Sequence, residues 1–250
     1  LCRFATLAIL LVGCTVSSTL FAEIYELRTY TTNDGKLANL NARFRDHTVS
    51  LFKKHGMESV GYWFPSDEPK SANTLIYVLK HASREAAKAS WQAFLADPEW
   101  KKVAQKSQVD GKILAKAPES VFMTLTEYSP EFENEKKNAD AVFELRIYRC
   151  NPGKLANLEA RFRDHTIRIF KRHDMQSVAY WHPVDKPASE DTLIYILRHE
   201  NREAAAASWK SFRDDAEWQK VAQESQKDGK FLRERPESIY MNATDYSAIR

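Results

Sequence analysis

Residues Glu26 to Ser129 recur, without a gap, 118 positions further on as Glu144 to Ser247. Tyr25-Glu-Leu-Arg-Thr-Tyr30 returns as Phe143-Glu-Leu-Arg-Ile-Tyr148, and Arg43-Phe-Arg-Asp-His-Thr48 returns as Arg161-Phe-Arg-Asp-His-Thr166. About three in five aligned positions are identical, far beyond what a shared helical pattern alone would leave. Two copies do not make a solenoid, which needs at least about three stacked units. The chain is therefore read as a duplicated domain. Its parts are residues 23–129 and 141–250, a polar linker over 130–140, and a leader over 1–22.

The leader differs in kind from the rest. Arg3 precedes an apolar run from Phe4 to Val12, which is too short to span a bilayer and reads as a secretory signal peptide. Two cleavage points compete. Leu11-Val12-Gly13-Cys14 resembles a lipobox, which would acylate Cys14, and ordinary signal peptidase would cut after Ala22. Both predict export, to the periplasm or the extracellular space, with membrane attachment only through the signal or a lipid anchor.

Within each repeat the hydrophobic period switches between two and 3.6. Ile24 to Thr31 alternates as a strand, and Asn33-Asp34-Gly35 is a turn signal. Leu37, Leu40, Phe44, Leu51 and Phe52 then fall at helical spacing up to the stop at Gly56. Strands follow over 59–64 and 74–80. A helix over 84–95 starts at an N-cap Ser83, and a second, capped by Asp97 with Pro98 in its first turn, is read through Leu114. A final strand covers 120–127. The order β-α-β-β-α-β is the ferredoxin-like unit of an α+β fold. A four-stranded sheet covered on one side leaves its other face open, so two copies are expected to pack sheet to sheet as an intrachain pseudo-dimeric α/β barrel.

Composition narrows function. A net charge of +3 over 250 residues, with no long basic block, gives no reason to expect nucleic acid. Cys150 is the one cysteine outside the leader, and its counterpart is Thr32, so neither an internal disulfide nor a duplicated thiol site is expected. Glycine-rich phosphate loops, H-E-x-x-H, paired-cysteine and G-x-S-x-G motifs are absent. No metal site is expected.

The residues then become recognisable. The first strand, the turn at Gly35, His55-Gly56, Val60-Gly-Tyr-Trp63, Arg84 and Asp97-Pro-Glu-Trp100 together resemble the NIPSNAP domain, and the resemblance covers each repeat almost completely. It implies the dimeric α/β-barrel superfamily, whose units pair sheet to sheet. It implies no settled reaction. Haem-degrading monooxygenases of that superfamily use an Asn on the first strand, with a Trp and a His on the second helical element. Here Arg28, Phe94 and Ala104 or Gln105 stand at those places, which argues against their chemistry.

Four residue pairs carry the site expectation. Arg28 with Tyr30, and Arg146 with Tyr148, share a strand face with Glu26 and Glu144, and an arginine in a pocket holds a carboxylate well. An ion pair with the glutamate inside the pseudo-dimer interface is the competing structural reading. His47 and His165 fall in the series Leu40, Phe44, His47, Leu51, which places them on the buried helix face and leaves Arg43 in solvent. They could hydrogen-bond a ligand, act as bases, ligate haem, or serve as satisfied core histidines. Trp63 and Trp181 are read as pocket walls, whereas Tyr77, Trp91, Phe94 and Trp100 are read as core. His55 and His81 are placed at element ends without a role. The expectation is a protein that binds a small anionic or aromatic ligand between sheet and helices. The alternatives are a monooxygenase- or isomerase-type enzyme of the same superfamily, and a protein-interaction module without a small-molecule site. Haem is possible and not favoured. Further oligomerisation is open.

Overall fold

The computed structural model describes residues 23–132, 138 and 140–250. The expected leader, with both of its cleavage points, and part of the expected linker lie outside the described residues. The first repeat contains β1 (Ile24–Thr31), α1 (Leu37–Arg43), a π turn (Phe44–Thr48), α2 (Val49–Lys54), β2 (Glu58–Pro65), β3 (Thr74–His81), α3 (Arg84–Ala96), α4 (Pro98–Lys106) and β4 (Glu119–Leu125). The second repeats it as β5 (Val142–Arg149), α5 (Leu155–Arg161), a π turn (Phe162–Thr166), α6 (Ile167–Arg172), β6 (Gln176–Pro183), β7 (Thr192–His199), α7 (Arg202–Asp214), α8 (Ala216–Ser225) and β8 (Glu237–Ala243). Ser83 caps α3 by accepting from the Ala86 N–H at 3.1 Å, and Asp97 caps α4 through the Glu99 N–H at 2.7 Å.

Two sequence expectations about helices change here. The helix read through Leu114 ends at Lys106, and Leu114 instead bridges Thr32 beyond a turn in which Gly111 has φ +109°. The first helix also runs through a π turn. The Val49 N–H bonds the Phe44 carbonyl, and the Thr48 hydroxyl donates to the Arg43 carbonyl at 3.1 Å. A π turn holds more residues than an α turn. It keeps Leu40, Phe44, Thr48 and Phe52, each four apart, on one buried stripe.

The eight strands close into a barrel in the order β1-β3-β2-β8-β5-β7-β6-β4. Each repeat supplies a contiguous half, β4-β1-β3-β2 and β8-β5-β7-β6. The joints are antiparallel pairs between repeats, with Trp63 opposite Ala243 and Leu125 opposite Trp181. Closure leaves no free sheet edge among these strands. The chain following each last strand crosses to the other repeat. The Tyr62 N–H donates to Ser247 Oγ at 2.9 Å, and the Tyr180 N–H donates to Ser129 Oγ at 3.0 Å. Ion pairs Arg84–Asp185 and Arg202–Asp67 tie the repeats at the surface.

Strand alternation sorts the side chains. Tyr25 and Leu27 point into the barrel with Trp63, Ile76, Val78, Met123 and their counterparts, forming one apolar core. Trp63 packs on Phe143 at 5.6 Å between ring centroids, and Tyr25 on Trp181 at 6.0 Å. The Trp63 indole lies over Gly61, where a Cβ would come within 2.3 Å of the ring, whereas the second repeat carries Ala179 at that position. The opposite strand faces carry Tyr30, Tyr62 and Tyr77 under the helices, and the second repeat does the same with Tyr148, Tyr180 and Tyr195.

Candidate functional site

Glu26 sits at the centre of the space between sheet and helices, 1% exposed. Its Oε1 accepts from Arg28 Nη1 at 2.5 Å and from Ser120 Oγ at 2.6 Å, while its Oε2 accepts from Trp91 Nε1 at 2.7 Å and from His81 Nε2 at 3.1 Å. An ionised carboxylate only accepts, so His81 carries a proton on Nε2. Burial pushes the Glu26 carboxyl up. The His81 hydrogen bond, the Arg28 charge and hydrogen bonds from Ser120 and Trp91 outweigh it and hold the carboxyl at about 2. Glu144 has the same four donors in Arg146, Ser238, Trp209 and His199, and is likewise held at about 2.

This carboxylate fixes two groups that face open space. The Arg28 guanidinium lies 4.3 Å from the Trp91 ring and reaches the Tyr30 hydroxyl at 3.5 Å. Burial opposes its charge, but Tyr77, Tyr30 and Glu26 more than offset this and raise its pKa. Arg28, Tyr30 and Trp91 line a cavity of about 470 Å³ with Phe44, Phe94 and Trp100. Arg43 completes the lining, only 6% exposed. Its contacts are Ser107 Oγ at 3.4 Å and the Trp100 ring at 5.3 Å. Among the described residues no carboxylate forms an ion pair with it, and its Nε has no partner. Burial accordingly lowers the Arg43 pKa, with Tyr30 and Tyr77 opposing.

The expected site residues separate. Arg28 and Tyr30 line the first-repeat cavity, and Tyr148 lines the matching cavity of about 250 Å³ in the second. Arg146 sits 4.5 Å from Trp209, bonded to Glu144. The Glu–Arg pair thus lies on the helix side of the sheet, and the barrel interior shared by the two halves is packed with apolar side chains. Trp63 and Trp181 are fully buried inside the barrel, on the far side of the sheet from Arg28. His47 is exposed and His165 partly exposed, each lining a shallow surface cleft. Their expected place on the buried face is corrected by the π turn, which sets Thr48 and Thr166 there instead, and Arg43 and Arg161, expected in solvent, are buried at the ends of the preceding helices. A haem held through His47 in the Arg28 cavity does not fit this arrangement. His81 and His199 are engaged by glutamates, and His55, which packs on Phe94, is engaged by Asp97. Among the described residues no group of three or more His, Cys, Asp or Glu side chains could hold a metal ion.

Arg43, Trp91, His81 and Ser120 were not picked out as site residues in the sequence. Their only shared signal is that each keeps its type 118 positions later, as Arg161, Trp209, His199 and Ser238 do. Many residues share that property.

Known proteins place the fold. A candidate monooxygenase of Fusobacterium nucleatum superposes with a TM-score of 0.58 at 10% identity, over 89% of this chain and 93% of its own. An anthrone oxidase-like protein superposes with a TM-score of 0.53 at 13% identity, over 90% of this chain and 93% of its own. The Protein NipSnap homolog of Dictyostelium discoideum is 30% identical over 135 residues, 53% of this chain. The match spans about half of that relative's length, 52%. The NIPSNAP family model matches twice, at residues 25–130 and 143–248. With both matches in tandem on one closed barrel, the chain belongs to the NIPSNAP family.

Proposed function

We propose that this protein binds a small organic anion with an aromatic or apolar body in the cavity between sheet and helices. The observation that carries the reading is Arg43, a buried guanidinium without a carboxylate partner, facing an aromatic cavity beside Arg28. A buried charge is costly unless paired. Glu26 already takes up Arg28, so one positive charge is left for a ligand to neutralise. Bidentate contact suits a carboxylate, and the rings of Trp91, Phe94 and Trp100 suit a flat or apolar body. In this reading Arg43 and Arg28 anchor the anion, Tyr30 offers a hydroxyl, and Glu26 is a positioning residue that holds Arg28 and Trp91.

Titration with 2-naphthoate tests this, with Trp91 and Trp100 fluorescence and calorimetry as readouts. Saturable binding that weakens at least about tenfold in Arg43→Met supports the reading. Binding that is absent, or unchanged in that variant, overturns it. The names of the two structural neighbours raise oxidation of the bound molecule as the enzymatic alternative. Oxygen uptake in the presence of a bound anion would favour it. Export belongs to the same proposal and rests on Arg3 and the apolar run from Phe4 to Val12. Mass spectrometry of the mature N-terminus distinguishes a start at Glu23 from an acylated Cys14, and an intact leader would overturn it.

A further inference from the structure

The two repeats share nearly everything at this cavity. Each lining residue of the first has the same type 118 positions on, apart from Leu95, where Arg213 stands. Yet the cavities differ in size, about 470 Å³ against about 250 Å³. Organic ligand pockets run from about 300 to 1,000 Å³, so the first falls within that range and the second below it. Beneath the second arginine, Phe231 replaces Ile113 and brings a ring 4.8 Å from the Arg161 guanidinium. Arg161 thereby gains an internal partner that Arg43 lacks. Trp209 is buried, while its counterpart Trp91 is partly open.

The lips differ in chemistry as well. Leu95 lines the first cavity while 57% exposed, and Val109, which follows the lining residue Gln108, is 78% exposed. Both are charged in the second repeat, as Arg213 and Lys227. A single exposed leucine is ordinary and carries nothing. One that lines the mouth of an arginine-anchored aromatic cavity, and is exchanged for a cation where the cavity is reduced, carries more.

From these differences we infer that only the first-repeat cavity is a ligand site, and that its ligand is an amphipathic carboxylate whose apolar tail leaves across Leu95. The inference rests on the anion-binding reading above and names its ligand class and stoichiometry. A compact aromatic acid would leave Leu95 uncovered, whereas a fatty-acid-like chain covers it and takes apolar surface from water. The second repeat keeps the architecture that closes the barrel, with a second aromatic ring against its arginine and a smaller cavity in front of it.

The test compares cis-parinarate, a fluorescent fatty acid, with 2-naphthoate on the full chain, using fluorescence titration and native mass spectrometry. The expected result is one parinarate per chain, bound more tightly than naphthoate. Arg43→Met abolishes it and Arg161→Met leaves it. Leu95→Arg weakens parinarate about tenfold more than it weakens naphthoate. The double variant Arg213→Leu with Phe231→Ile opens a second site. Circular dichroism checks that each variant folds. Two parinarates per chain in the wild type, equal loss in Arg43→Met and Arg161→Met, or an equal effect of Leu95→Arg on both probes would overturn the inference and leave the anion site standing. Failure of both probes to bind the wild type would overturn the anion site itself.

Discussion

The inside of the barrel and the outer face of the same sheet are built by opposite rules. On β1, Tyr25 and Leu27 enter a core made wholly of apolar and aromatic side chains, while their neighbours Glu26 and Arg28 enter a buried polar cluster. One residue of register separates a surface that holds two repeats together from one that holds charge out of water. The inner face gains its energy from area and fit, and tolerates no void. The outer face places an ionised carboxylate where burial opposes it and saturates it with four donors, so that two further groups, Arg28 and Trp91, are held beside an open cavity. The first arrangement is insurance against dissociation, and the second is preorganisation for a ligand.

That contrast can be broken most directly from the inside. Trp63→Ala should cost about 3–5 kcal/mol in urea unfolding, because it empties the centre of the barrel. It should leave 2-naphthoate affinity unchanged, and an equal loss of affinity would show that the two faces are not independent. Glu26→Gln attacks the other face by leaving Arg28 buried beside a neutral amide, at a cost of about 3 kcal/mol. Here affinity should fall together with stability, since Arg28 and Trp91 lose their anchor. Retained affinity would remove the positioning role assigned to Glu26.

Acid sharpens the same comparison. The Glu26 and Glu144 carboxyls are held at about 2 in the folded chain, against an ordinary value of 4.5. Depressed carboxyls stabilise fully above the unfolded value, and that contribution is lost as pH falls through the folded one. Each should therefore contribute about 3 kcal/mol at neutral pH and lose it between about pH 4.5 and 2. Urea midpoints measured across this window should fall steeply in the wild type. They should fall less in the Glu26→Gln, Glu144→Gln double variant, and parallel curves would remove the two carboxylates as the cause. The smallest effect is expected at His47. His47→Ala should change stability by less than about 0.5 kcal/mol and leave anion binding intact, because the ring lies outside the cavity.

Much of the architecture was legible because it is local. The alternation of Ile24 to Thr31, the caps at Ser83 and Asp97 and the turn at Gly35 rest on neighbours in sequence, and the elements stand where those signals put them. The shared face of Glu26, Arg28 and Tyr30 was legible for the same reason. His47 was misplaced because a helical wheel assumes one period throughout, and the π turn at Phe44–Thr48 changes that period where the histidine lies. Trp63 was misplaced because alternation says which strand residues share a face without saying which face closes the barrel. The polar cluster was invisible because Glu26 meets Trp91 and Ser120 across 65 and 94 residues.

The sequence by itself determined that there are two copies of one β-α-β-β-α-β unit and that each strand segregates its side chains, since repetition and period-two patterning are properties of the chain alone. The tertiary structure decided that the apolar faces close on each other as a barrel, and that Arg43 turns inward where His47 turns out. It also decided that one of two nearly identical cavities is roomy and the other reduced. These outcomes depend on packing between distant segments, which no local pattern records.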